Sequence, residues 1–148
     1  MNKWFLQFQY DKHGRGNLQL NEGNISVFCY QACTGAIDVD GDLVNGIKPG
    51  IWSIQEKSTP TSEDGMVVES KKPAYKIRLY TPKGIWSHYL IHADGGRRGT
   101  YGCIGVSMIY GNAPAIYRTI DNVLKMQTII PVYINTPVPG EVYDGTVA

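Results

Sequence analysis

Residues 75–105 read YKIRLYTPKGIWSHYLIHADGGRRGTYGCIG, and this stretch decides the fold. Apolar and polar side chains alternate over Tyr75–Tyr80, and apolar residues dominate Trp86–His92, which predicts two strands. Between them lies Thr81-Pro82-Lys83-Gly84, a sequence typical of a turn. The pattern therefore predicts an antiparallel pair of strands that places His92 at a strand end.

A cysteine segment, Thr100-Tyr101-Gly102-Cys103-Ile104-Gly105, follows His92 and predicts a tight turn that faces the histidine. A free thiol with a pKa of about 8.5 is mostly protonated at neutral pH, and an adjacent imidazole can remove that proton. Glycines let the backbone turn sharply and let N–H groups converge, as an oxyanion site requires. Either residue alone is more often structural. Together, Cys103 and His92 predict a cysteine acyl-transfer enzyme.

Turn signals recur outside this stretch at the spacing of short strands, without repeats or linkers. Residues 113–126 carry apolar side chains at helical spacing and predict a helix. Residues 56–72 are polar and predict a surface excursion. The sequence therefore predicts a single domain, residues 1–148, that is mainly β with one or two helices. Its core spans about residues 17–134, the tail is 135–148, and further predicted strands are 4–10, 17–20, 25–32 and 128–134.

Composition excludes several classes of function. The 148 residues carry a formal net charge of +1, which gives no electrostatic footprint for a nucleic-acid partner. No apolar stretch is long enough to span a membrane, and the first ten residues are too short and too polar for the core of a signal peptide. We therefore expect no nucleic-acid partner, no membrane span, and synthesis in a cytoplasm without a signal peptide.

The other two cysteines, Cys29 and Cys33, lie four positions apart in a predicted strand. Their Cα atoms would be about 13 Å apart, beyond disulfide reach, so we expect both to be packing residues. The cysteines form no C-x-x-C pair, and we expect neither a metal site nor a cofactor.

The order of these features resembles the L,D-transpeptidase (YkuD-type) catalytic domain, in a compact variant with a short loop between histidine and cysteine. The resemblance covers about residues 17–134. It rests on a Thr34-Gly35 turn, the segment Lys48-Pro49-Gly50-Ile51-Trp52-Ser53-Ile54, an Ile91-His92 strand end and the Gly102-Cys103-Ile104 turn. It implies an L,D-transpeptidase-like mixed β-sandwich.

The resemblance also implies roles for four residues. Cys103 would attack the carbonyl of a diaminopimelate residue in a peptidoglycan stem peptide, leaving a thioester. His92 would act as base and then as acid, and the Ala93 carbonyl would orient its imidazole. The N–H groups of Gly102 and Cys103 would hold the oxyanion. His88, four positions before His92 and on the same strand face by parity, is the fallback base.

Substrate contacts are expected from the residues around the cysteine. Arg97 and Arg98 could grip a substrate carboxylate, or they could be solvated loop residues. Tyr101, where the family has a second histidine, could donate a hydrogen bond or simply pack, and Thr100 precedes it at the same site.

The fate of the thioester leaves three functions open. Water as acceptor would make the protein a lytic hydrolase, an L,D-carboxypeptidase or endopeptidase, and this is the favoured hypothesis. An amine acceptor would make it a transpeptidase that forms 3–3 cross-links or exchanges D-amino acids. The third hypothesis is a non-catalytic β-sandwich binding module. As a hydrolase, the protein is expected to be a monomer that reaches the cell wall in the periplasm after delivery, as a phage endolysin or a delivered toxin would.

Overall fold

Ten strands and one helix form the described part of the chain, residues 3–61, 74–94, 100–107 and 113–140 of a computed structural model. The fold is mainly β, as predicted. The helix is α1 (Ala113–Leu124), shorter than the predicted 113–126. The strands are β1 (Trp4–Tyr10), β2 (Arg15–Glu22), β3 (Ile25–Ile37), β4 (Leu43–Val44), β5 (Gly50–Ile54), β6 (Thr59–Thr61), β7 (Ala74–Tyr80), β8 (Trp86–Asp94), β9 (Thr100–Ser107) and β10 (Ile130–Ile134).

All ten strands belong to one mixed sheet with the order β2-β1-β10-β5-β7-β8-β9-β3-β4, and β6 pairs with β7 outside this order. Two pairs, β1 with β10 and β8 with β9, are parallel. Because β2 also pairs with β3, the sheet closes on itself. The result is a barrel-like sandwich in which β7, β8 and β9 are consecutive neighbours.

Side-chain alternation divides the β7–β8–β9 surface into two faces. One face is buried in the core and carries Ile77 and Leu79, Ile91 and Ala93, and Ile104 and Val106. The apolar side of α1 packs into the same core through Ile116, Tyr117, Ile120 and Val123. Because successive side chains of a strand point to opposite faces, the other face of these strands carries the polar side chains that form the candidate site.

Three predicted elements differ from the structure, and the first is the Thr34-Gly35 turn, which lies within β3 at a register shift. The segment around Cys103 is a strand, β9, and not a tight turn. It is extended because it pairs with β8 on one side and β3 on the other, a long-range pairing that the local glycine pattern does not reveal. The polar excursion predicted at 56–72 contains β6, which pairs with β7. Residues 62–73 of that excursion lie outside the described residues.

Tyr117 of α1 provides a test of the core. Its phenol is buried, which raises its pKa, and the nearby Ala93 backbone acts in the opposite direction. The hydroxyl has no hydrogen-bond partner among the described residues. A buried donor without a partner destabilises the folded state. We therefore expect Tyr117→Phe to leave the free energy of unfolding unchanged or to raise it by up to about 1 kcal/mol in urea titrations.

The matched control is Tyr10→Phe. The Tyr10 hydroxyl donates a hydrogen bond to the Ile47 carbonyl, so its removal should lower the free energy of unfolding by about 1 kcal/mol. Equal losses in the two variants would show that the Tyr117 hydroxyl does contribute a favourable interaction.

Candidate active site

His92 lies on β8 and is held in one orientation by the backbone. The residue is only 8% exposed, and its Nδ1 lies 2.8 Å from the carbonyl oxygen of Ala93. A carbonyl oxygen only accepts hydrogen bonds, so Nδ1 carries the proton that it donates. In the neutral ring Nε2 then carries the lone pair, which is the form that a general base needs. The contact that the sequence predicted between His92 and the Ala93 carbonyl is present.

Cys103 lies on β9, which runs parallel to β8. The register places Ile91 opposite Ile104 and His92 opposite Gly105. Cys103 is therefore alongside Leu90, and the Leu90 N–H donates a hydrogen bond of 3.3 Å to Cys103 Sγ. Residues that are opposite each other in a sheet share a face, so Cys103 shares the face of Leu90. His92 is two positions after Leu90 and lies on that same face. Their Cα atoms are roughly 8 Å apart, given strand spacings of about 4.8 Å and a rise of about 3.3 Å per residue.

Gly105 contributes no side chain to the face that carries His92 and Cys103. It lies directly opposite His92 and has no side chain, so it places no group between the imidazole and the thiol. The Cys103 residue is half-buried, which leaves it accessible. The two predicted catalytic residues are thus brought to one face of adjacent strands.

Gly102 has a different role from the predicted one. Its φ of +67° lies in the left-handed region, and its N–H donates a hydrogen bond of 2.7 Å to the Asn45 carbonyl. In this structure that N–H is therefore not available to an oxyanion, which corrects its assignment. The oxyanion role of the Cys103 N–H stays a prediction. What Gly102 does is anchor the start of β9 to the loop after β4.

His88, the fallback base, lies outside the regular part of β8. Tyr80 pairs with Trp86 but Leu79 pairs with Tyr89, so Ser87 and His88 form a bulge. His88 has a φ of +67° and is exposed, with its ring centroid 5.1 Å from that of Trp86. The bulge interrupts the alternation of side chains, so parity alone does not place His88 on the face of His92, and its role as fallback base stays a prediction.

The predicted substrate contacts are only partly described. Thr100 and Tyr101 are the first residues of β9, and Thr100 pairs with Gly35 of β3. Arg97 and Arg98 lie outside the described residues. Cys29 is exposed, so the expectation that it is a packing residue is wrong, whereas Cys33 is half-buried on β3, opposite Gly105. None of the three cysteines forms a disulfide.

Sequence reasoning missed two cationic residues on the same face. Lys76 of β7 pairs directly with His92, and Arg78 pairs with Leu90. Arg78 lies 3.5 Å from a Glu56 carboxylate oxygen, and its guanidinium lies 5.2 Å from the centre of the Trp86 ring. The alternation of side chains in Tyr75–Tyr80 indicates that Lys76 and Arg78 share a face. It does not indicate which residues of β8 they pair with, because that register depends on the bulge at Ser87 and His88.

Within the described ranges, no group of three or more His, Cys, Asp or Glu side chains is arranged to hold a metal ion. No helix in those ranges has the length and apolar character needed to cross a membrane. No family model, curated protein or solved structure matches the chain. The resemblance drawn from the sequence therefore stays a prediction, and the function is argued from the site.

The pairing of His92 with Cys103 can be tested without a substrate. If the imidazole takes the thiol proton, the rate of Cys103 alkylation by iodoacetamide below neutral pH should fall in His92→Ala by about tenfold, because less thiolate is then present. The rate is read by mass on the Cys103 peptide, so that alkylation of the exposed Cys29 does not interfere.

His88→Ala is the matched control for this measurement, since it removes an exposed imidazole from the same strand. We expect it to leave the alkylation rate of Cys103 unchanged. A larger fall in the alkylation rate in His88→Ala than in His92→Ala would show that His88, and not His92, is the base.

Proposed function

We propose that this protein is a cysteine enzyme that cleaves peptidoglycan stem peptides at an L,D bond through a thioester on Cys103. The observation that carries the proposal is the position of Cys103, whose Sγ accepts a hydrogen bond from the Leu90 N–H. His92 follows Leu90 by two residues on the same strand, and its Nδ1 is held by the Ala93 carbonyl. A thiol on the same sheet face as an imidazole whose orientation is fixed, on the adjacent strand, fits a cysteine nucleophile and its base. The substrate class comes from the resemblance to L,D-transpeptidase catalytic domains.

Each step of the proposed reaction uses these two side chains. His92 Nε2 takes the proton from Cys103 Sγ, and the thiolate attacks the carbonyl carbon of the diaminopimelate residue. The carbon–nitrogen bond breaks as Nε2 returns the proton to the departing amine, which leaves as D-alanine. Water then attacks the thioester, gives one proton to Nε2, and the thiol leaves and is reprotonated. The products are a tripeptide and a free D-amino acid.

Water is proposed as the acceptor because of the short connection between the two catalytic residues. Cys103 follows His92 by eleven positions, which leaves little chain from which to build a pocket for an acceptor amine. A transpeptidase must hold a second stem peptide next to the thioester and protect the thioester from water. The hydrolytic reaction requires neither.

The decisive experiment is to incubate the purified protein with a disaccharide tetrapeptide that contains diaminopimelate and to read the products by mass. We expect the disaccharide tripeptide and free D-alanine, without new dimers and with little exchange of an added D-amino acid. Dimers or exchange at rates comparable to hydrolysis would identify a transpeptidase. The absence of any product, with an intact fold, would favour a binding module.

A further inference from the structure

We infer that Arg78 and Glu56 together bind the far end of the diaminopimelate side chain, where an ammonium and a carboxylate share one carbon atom. This inference rests on the proposed function and specifies which stem peptides the site accepts. It starts from a row of side chains across three neighbouring strands. Arg78 of β7 pairs with Leu90 of β8, and Leu90 lies alongside Cys103 of β9, so these residues lie in one row on one face of the sheet.

Two opposite charges lie at the β7 end of this row. A guanidinium nitrogen of Arg78 is 3.5 Å from a carboxylate oxygen of Glu56. The Tyr80 hydroxyl donates a hydrogen bond of 2.8 Å to the same carboxylate, and the guanidinium lies over the Trp86 ring, 5.2 Å from its centre. These contacts hold both charges in place. The Arg78 and Glu56 side chains are nevertheless 43% and 40% exposed, so a dissolved ligand can reach both of them.

The far end of diaminopimelate carries the complementary pair of charges. Its carboxylate can pair with the planar Arg78 guanidinium through charge-assisted hydrogen bonds, while its ammonium meets the Glu56 carboxylate. A single cation would attract the carboxylate but repel the ammonium beside it. Lysine in the same position of a stem peptide has the ammonium and lacks the carboxylate. The pair of Arg78 and Glu56 therefore favours diaminopimelate over lysine.

The length of the diaminopimelate side chain suits the row. Arg78 and Cys103 lie two strands apart without a shift in register, so their Cα atoms are roughly 10 Å apart. The reacting carbonyl carbon of diaminopimelate and its far carboxylate are about 7 Å apart when the chain between them is extended. That chain contains methylene groups, and the half-buried Leu90 offers them an apolar side chain between the two ends of the row. With the carbonyl at Cys103 Sγ, the methylene groups would cross Leu90 and the charged end would reach Arg78 and Glu56.

The test compares tetrapeptides that differ only at the far end of the third residue, which is diaminopimelate, diaminopimelate with the far carboxyl amidated, or lysine. The wild type should cleave the first with a kcat/KM at least about tenfold higher than that of the others, because only the first carries the far carboxylate. In Arg78→Gln we expect kcat/KM for the diaminopimelate peptide to fall about tenfold and that for the amidated peptide to stay unchanged. Arg78→Lys should keep part of the preference, since it keeps the charge but not the planar group.

Glu56 is tested with a fourth peptide, in which 2-aminopimelate replaces diaminopimelate and so keeps the far carboxylate without the ammonium. The wild type should prefer diaminopimelate to 2-aminopimelate by about fivefold in kcat/KM, because only diaminopimelate has an ammonium to pair with the Glu56 carboxylate. Glu56→Gln should remove this preference. An unchanged preference in a folded Glu56→Gln would exclude Glu56 from the binding of the ammonium.

Arg118→Gln is the matched control, since it removes an exposed arginine from α1 and should keep the full preference for the far carboxylate. Equal kcat/KM for the diaminopimelate and amidated peptides in the wild type would overturn the inference without any variant, even if Arg78→Gln does not fold. A preference for the far carboxylate that survives in a folded Arg78→Gln would also overturn it. In both cases the proposed function stands, whereas a wild type that cleaves none of the peptides overturns both.

Discussion

Cys103→Ala should lower the rate of tripeptide release by at least about a thousandfold, because the proposed thioester forms on the Cys103 sulfur. The loss should occur with a normal fold. Cys103 is half-buried at one end of the β8–β9 pairing, and alanine keeps its Cβ. Circular dichroism and urea titration would confirm that the variant is folded, and the products would be read by mass as for the wild type.

Two further variants serve as controls for this result. Cys29→Ala removes an exposed thiol and should keep both activity and stability. Cys33→Ala removes a half-buried thiol on β3 and should affect stability by about 1 kcal/mol rather than chemistry. Turnover like that of the wild type in Cys103→Ala would exclude the cysteine mechanism, since the proposed thioester could not form.

The parts of the fold that depend on local patterns could be predicted from the sequence. Alternation in Tyr75–Tyr80 and helical spacing in residues 113–126 are signals carried by neighbouring residues, and the structure has β7 and α1 at these places. The contact between His92 and the Ala93 carbonyl also joins adjacent residues, but it was expected from the family resemblance and not from a local pattern. Each of these features needs only the chemistry of a short segment.

The register across the hairpin could not be predicted in the same way. Tyr80 pairs with Trp86, and a regular ladder from that pair would place Lys76 opposite Leu90. The bulge shifts the register by two residues, so Lys76 lies opposite His92 instead. The bulge depends on His88 with a φ of +67°, a conformation in which histidine is uncommon and which the sequence therefore does not signal. The position of Lys76 opposite His92 became visible only in the structure.

Gly102 shows the same limit at the cysteine. Its sequence context indicated a glycine needed for a turn and an oxyanion site, and the residue does have a positive φ. The partner of its N–H is Asn45, which is 57 positions away along the chain, and no local pattern reports that contact. The function of a glycine in a strand is decided by what approaches it, and here that is also the ring of Tyr89.

The contact with Tyr89 makes Gly102→Ala the most destabilising substitution that we expect at this site. A φ of +67° is unfavourable for alanine by about 1–2 kcal/mol. A Cβ on Gly102 would also overlap the Tyr89 ring, which packs against Trp52 with ring centroids 6.1 Å apart. Overlap of this kind adds about 1–3 kcal/mol. The free energy of unfolding in urea should therefore fall by about 2–5 kcal/mol in total.

A control variant separates the loss of stability caused by the backbone conformation from the loss caused by the overlap with Tyr89. Gly23 has a φ of +57°, but a Cβ there would meet no atom within 4 Å. Gly23→Ala should therefore lose only the backbone contribution of about 1–2 kcal/mol. Tyr89→Ala combined with Gly102→Ala should relieve the overlap, so the double variant should lose less than the sum of the two single losses. Equal losses in Gly102→Ala and Gly23→Ala would mean that the Tyr89 ring moves aside without a measurable penalty, and that packing does not require glycine beside Cys103.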